Sequence, residues 1–208
     1  MARMIDIDEF LPEVMRYAPN ASDFVAQRFL LQAARDLCDR LKIWRENDTF
    51  EVTDSTNEGV CTIRDADIVS IDAARLNGVS LEPQTNSWLD ENQPGWSLAD
   101  APVAPARYIT QLEPNTVTVV PKATGTMTVR LVLKPARDAT SMPAFLLDEY
   151  SEEIGRGAAG RILTDPNSDN PQLGLDHRQW FKDRLDSLSF KAVMGQHRAR
   201  PRAKGSYL

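Results

Sequence analysis

The sequence predicts an α+β fold: a helical bundle formed by the N- and C-terminal segments, with an inserted antiparallel β domain. Three observations lead there. Apolar residues recur at helical spacing near both ends of the chain. Between residues 49 and 135 the period shortens to that of strands, punctuated by Asn77-Gly78 and by proline at 102, 105, 114, 121 and 135. The composition, 42% hydrophobic and 26% charged over 208 residues, excludes a disordered, collagenous or disulfide-rich chain. The predicted division is residues 1–48 with 137–196 as the helical bundle, 49–136 as the β-rich insertion, and 197–208 as an extended basic tail.

Residues 8–17 read as a short helix that tolerates Pro12 only near its first turn. Ala18-Pro19-Asn20 breaks the chain, and Ser22 or Asp23 suits the N-cap of the next helix. Phe24, Leu31, Ala34, Cys38, Leu41 and Trp44 return to one face of that helix, for a predicted length of roughly 34 Å at the helical rise per residue. β-Branched residues then mark strands at 49–53, 60–64 and 68–76, and Asn77-Gly78 turns the chain into a return strand at 79–81. Residues 84–95 read as an irregular or briefly helical excursion. Strands resume at 107–112 and 116–120. Met127, Val129, Leu131 and Leu133 then alternate with Thr128, Arg130 and Lys134, and Val132 interrupts the polar face. Helix returns over 144–163. A loop carries Asp165-Pro166 and Asn170-Pro171, and a last helix spans 173–196 with Leu173, His177, Trp180, Phe181, Leu185, Leu188 and Ala192 on one side.

The motifs favour structural readings. Gly155-Arg156-Gly157-Ala158-Ala159-Gly160 spells a dinucleotide fingerprint, but helix rather than strand precedes it, so the small residues are read as a close helix–helix approach. Asp148, Glu149, Glu152 and Glu153 are candidate metal ligands or acid–base groups. With no histidine or further acid at ligand spacing, they read as a solvated helix face. Cys38 and Cys61 belong to no CxxC and read as reduced, buried small hydrophobes. His177 flanks the core and His197 lies in the tail. Trp44, Trp88, Trp96 and Trp180 do not interleave with basic residues, which argues against a single-strand stacking platform. No catalytic set, cofactor site or metal site is predicted. No apolar run reaches the roughly 18 residues of a membrane span, and residues 1–6 turn acidic where an export leader would turn apolar.

Charge is unevenly distributed. Lys191, Arg198, Arg200, Arg202 and Lys204 are five basic residues with no acid among them, whereas the first 190 residues carry 19 basic against 30 acidic side chains, a net of −11. Such a body disfavours coating DNA and suits a surface past which DNA slides. The tail, with its Gly and Pro breakers and no apolar stripe, is suited to order on an acidic partner through Arg198, Arg200 and Arg202, with Tyr207-Leu208 as an apolar anchor.

Several segments resemble the phage head-to-tail connector (adaptor) proteins. They are Phe10-Leu11-Pro12-Glu13-Val14, the break at Ala18-Pro19-Asn20, and the helix through Ala26, Phe29, Leu30, Ala34 and Leu37-Cys38 to Trp44. The return helix through Phe145-Leu146, Tyr150, Ile154 and Gly157 to Leu163, with Asp165-Pro166 and then Trp180-Phe181, is similar too. The resemblance covers about half the chain, all in its helical parts, and the β insertion carries no family signature. It implies a structural virion protein: a homo-oligomeric ring, a dodecamer under the twelvefold portal, that lines the DNA exit channel and gives a downstream tail or nozzle protein its platform. DNA would pass without sequence-specific binding. The location implied is the virion neck, with the host cytoplasm during assembly. By position, the C-terminal contact with the portal protein would fall to Arg198, Arg200, Arg202, Lys204 and Tyr207, with Leu208 beside it. Two other readings stay open: a different tail-completion, tail-tube or regulatory interaction protein, and a metal-dependent hydrolase using the acids at 148–153.

Overall fold

The computed structural model describes residues 2–98, 100–165 and 170–193. The chain divides into two compact units. One takes Met1–Met4 and Trp44–Met142; the other takes Ile5–Ile43 and the described residues from Pro143 onward.

The first unit is built on β8 (Gly125–Pro135). Its side chains Met127, Val129, Leu131 and Leu133 are fully buried, as the alternating pattern requires. β8 is flanked by two antiparallel partners. β2 (Trp44–Val52) pairs from Trp44 opposite Leu133 to Val52 opposite Gly125. β4 (Ala66–Leu76) pairs from Ala66 opposite Pro135 to Leu76 opposite Met127, with register shifts at Ile68/Ser70 and Ile71/Ala73. Asn77 and Gly78, at φ 50° and 83°, turn β4 into β5 (Val79–Pro83), the positive-φ pair that a two-residue hairpin favours. Asn77 also braces the far side: its amide contacts Thr124 O and Thr126 N, over Gly125.

The sheet continues through β6 (Tyr108–Thr110), β7 (Thr116–Val120) and β3 (Glu58–Val60), giving the order β2-β8-β4-β5-β6-β7-β3. Every position of β7 is buried. The two edges of this sheet approach each other. Asp48 of β2 accepts from Thr62 N and Thr62 Oγ1, each at 2.7 Å, and the Phe50 ring lies where a Cβ on Gly59 would stand, 2.7 Å away. The seven-stranded sheet is thereby nearly closed. Between β5 and β6, helix α3 (Asn86–Asn92) is capped by Thr85, whose side chain accepts from Trp88 N. Leu89, Trp96 and Val120 form a satellite core there, against which Trp88 and Tyr108 pack.

In the second unit a 3-10 turn (Ile7–Phe10) leads into α1 (Leu11–Met15), followed by α2 (Asp23–Leu41), α4 (Ala144–Leu163) and α5 (Pro171–Val193). α2 buries Ala26, Leu30, Leu31, Ala33, Ala34, Leu37, Cys38 and Leu41. α4 departs from helical geometry at Tyr150 (φ −133°, ψ 20°) and buries Leu146, Ile154, Ala158 and Ala159 with three glycines beside them. Two short strands, β1 (Met4–Asp6) and β9 (Ser141–Pro143), each run across a boundary of this division and pair with each other.

The expectation of a helical bundle with an inserted antiparallel β domain is overturned. The fold is mixed α/β, with five α-helices among the described residues and a large, nearly closed sheet that dominates the core. The helices are too unequal for a bundle, which needs a broad apolar stripe on every member. α1 has five residues, α4 is kinked, and α5 buries only Gly174, His177, Phe181 and Leu185 among its described side chains. The sheet is also not wholly antiparallel, because β5 and β6 run parallel. Local predictions failed at three points. Trp44 opens β2 rather than closing α2, since Lys42 takes a left-handed conformation (φ 53°) that ends the helix. Phe24, assigned to the buried stripe, is 75% exposed. Of residues 60–64 only Val60 is in a strand, which leaves Cys61 outside one.

Candidate functional site

The tail candidates Arg198, Arg200, Arg202, Lys204, Tyr207 and Leu208 lie outside the described residues, as does His197. The glycine run, the acidic run, Cys38, His177 and Trp180 are in the second unit, and Cys61 is in the first.

The Gly155–Gly160 run sits inside α4, not at a strand-to-helix turn. A Cβ at Gly155 would stand 2.6 Å from the Glu13 carbonyl oxygen, one at Gly157 3.0 Å from the Phe181 ring, and one at Gly160 2.9 Å from the Arg178 backbone nitrogen. The run therefore lets α1 and α5 approach α4, which is the packing reading and leaves no loop to cradle a phosphate. The acidic run does not converge. Asp148, Glu149 and Glu152 are exposed, but Glu153 is turned inward at 4% exposure and accepts from Arg184 Nε at 2.8 Å. The prediction of a wholly solvated acidic face is corrected at Glu153. Among the described residues no three His, Cys, Asp or Glu side chains are grouped to hold a metal ion.

Both thiols are free. Burial pushes Cys38 up to about 12, with Asp39 adding to it, and burial also raises Cys61, where Asp48 works in the same direction against the Ile63 backbone. Each is thus held as a thiol at neutral pH, and thiolate chemistry is suppressed.

Two arginines of α4 each bridge it to neighbouring elements, and sequence reading singled out neither. Arg156 lies 3.9 Å over the Trp180 ring and 5.6 Å from the Tyr17 centroid. Its Nε donates to His177 Nδ1 at 3.4 Å and its Nη1 to Glu152 at 3.4 Å, while Tyr17 meets His177 edge-on at 5.3 Å. Trp180 does stack with a basic residue, then, though one 24 positions away in sequence. Arg161 binds Asp36 of α2 through Nη2 and donates to Gly157 O at 2.7 Å. Burial lowers Arg161 from its ordinary value and Arg178 adds repulsion, opposed by Asp36. The only sequence signal was their placement on a helix of small residues: where glycines bring helices close, the long side chains beside them must reach across neighbouring elements.

Arg161 and Arg178 border two open grooves. One, about 780 Å³, has apolar walls including Val25, Phe29 and Ile162. The other, about 1160 Å³, is flanked by Asp36, Arg40, Phe181 and Asp186. Cations and carboxylates both line the second, and Arg40 pairs Asp186 at 2.7 Å. No helix of the described residues is long and apolar enough to cross a membrane. No protein-family model matches the chain, and neither does any curated protein.

Proposed function

We propose that this chain is a structural adaptor subunit of a phage neck, forming a ring between the portal protein and a downstream tail or nozzle protein around the DNA exit channel. The observation that carries the reading is the division of charge: a net of −11 over the first 190 residues against five cations and no acid from 191 onward. An acidic wall repels phosphate and leaves the genome free to move, while a cationic segment with an apolar tip supplies each subunit with a tethered second contact. The resemblance of the α2 and α4 sequences to adaptor proteins supports the same reading. The sheet-dominated fold leaves this argument standing, because it rests on the charge pattern and the tail and not on a bundle. The deciding experiment mixes the purified chain with the portal of the same phage and reads complex formation by pull-down and by cryo-EM. A ring docked under the portal is expected, and removal of residues 197–208 should abolish or strongly weaken it. A chain that leaves the portal unbound, or binds equally well without those residues, overturns the proposal.

A further inference from the structure

We propose that His177 is an acid-sensitive latch: protonation of its ring removes the acceptor that Arg156 uses and sets two cations side by side, so that the first half of α5 loosens from α4 under mildly acidic conditions. The inference is independent of the adaptor reading.

Three features of the packing carry it. First, His177 is only 7% exposed, and charged or titratable groups face it from α4, from the segment after α1 and from α5 itself. From α4 come Arg156 and its ion partner Glu152. From the segment after α1 comes Tyr17. From α5 itself comes Asp176, with the Glu153–Arg184 pair farther along the same α4–α5 contact. Second, Arg156 cannot easily retreat. Its guanidinium is stacked 3.9 Å over Trp180, so the Nε–H is held 3.4 Å from Nδ1, a long hydrogen bond whose acceptor must be the neutral ring. Third, few apolar side chains hold the described part of α5, and the ion pairs Glu153–Arg184 and Arg40–Asp186 tie its later turns rather than its first half. Of its described side chains only His177, Phe181 and Leu185 are buried, and Gly174 contributes close backbone packing against Leu163 and Thr164. An element with few buried apolar contacts opens at low free-energy cost.

The sign follows from linkage. Burial, then the Arg156 charge, hold His177 below its ordinary value of 6.5, and Asp176 opposes them only in part. A histidine depressed in the folded state contributes stability above its unfolded value, and that contribution is lost as the pH falls from there through the folded value. The loosening is therefore confined to the interval below about 6.5.

The test compares the full chain with its His177→Gln variant, in which the amide keeps an acceptor for Arg156 and does not titrate. Hydrogen exchange, corrected for the intrinsic pH effect, and thermal unfolding are followed from pH 7.5 to 5.0. The wild-type chain is expected to lose protection over 172–181 and to fall in Tm more than the variant across this interval. An equal pH dependence in both chains overturns the proposal. Should the variant fail to fold, the imidazole titration of the wild-type chain decides by NMR. A His177 ring that titrates below 6.5, and moves upward in Arg156→Met, supports the latch. A ring that titrates at or above 6.5 overturns it.

Discussion

Asp48 is a carboxylate with three donors aimed at it: Thr49 N at 2.9 Å, Thr62 N and Thr62 Oγ1 at 2.7 Å. It lies at 7% exposure where the edges of the sheet meet, so its loss strands two backbone N–H groups. Replacement Asp48→Ala is expected to cost about 2–3 kcal/mol in urea denaturation, whereas Asp48→Asn, which keeps one acceptor, costs less. Gly155 makes a steric prediction of the same kind. A Cβ 2.6 Å from the Glu13 carbonyl can be accommodated only by moving backbone, so Gly155→Val is expected to destabilise by about 1–3 kcal/mol or more, again read by denaturant midpoint. The packing role of Gly155 was legible from its small neighbours. The inward turn of Glu153 was not, because its partner Arg184 stands 31 positions away on another helix. Nor was the Arg156 stack on Trp180, since nothing in a linear spacing announces which aromatic face a guanidinium will meet.

Elements were legible in proportion to how far their own residues determine them. β8 could be read because period-two alternation states both the strand and its buried face, and the Asn77-Gly78 hairpin because the turn requires positive φ from residues able to supply it. α2 was readable through its middle but at neither end: Phe24, placed on the buried stripe, is exposed. Periodicity carried it on to Trp44, whereas the chain stops at Leu41 because Lys42 adopts the left-handed conformation and donates to Cys38 O at 2.8 Å. A lysine in that region is strained where glycine is not, so Lys42→Gly is expected to stabilise the chain by about 0.5–1 kcal/mol, seen as a rise in Tm. A fall in Tm would mean that the Lys42 side chain supplies more than its backbone costs. The bundle could not be judged from periodicity at all. An apolar stripe tells which face of a helix is buried, but not whether its neighbours are long enough to share a core. α1, with five residues, is not.

At the scale of the whole molecule the uneven distribution of charge is legible directly from the sequence. Residues 197–208 contribute four cations, so their removal takes the net charge from −6 to −10. Repulsion between such a body and duplex DNA is felt most at low ionic strength, where the screening length is roughly 10 Å or more at 0.1 M and below. The truncated chain 1–196 is therefore expected to leave duplex DNA unretarded in a gel at about 50 mM salt, the condition most favourable to charge-driven binding. The full chain, through its tail alone, should retard DNA weakly there and not at all once salt is raised severalfold. The two outcomes separate the parts of the argument. Retardation by the truncated chain would show a cationic face within the body that its net charge conceals, and the picture of a wall that repels phosphate would fall. Strong, salt-resistant binding by the full chain would instead make the tail a DNA anchor, which is incompatible with the proposed passage of a genome past these subunits.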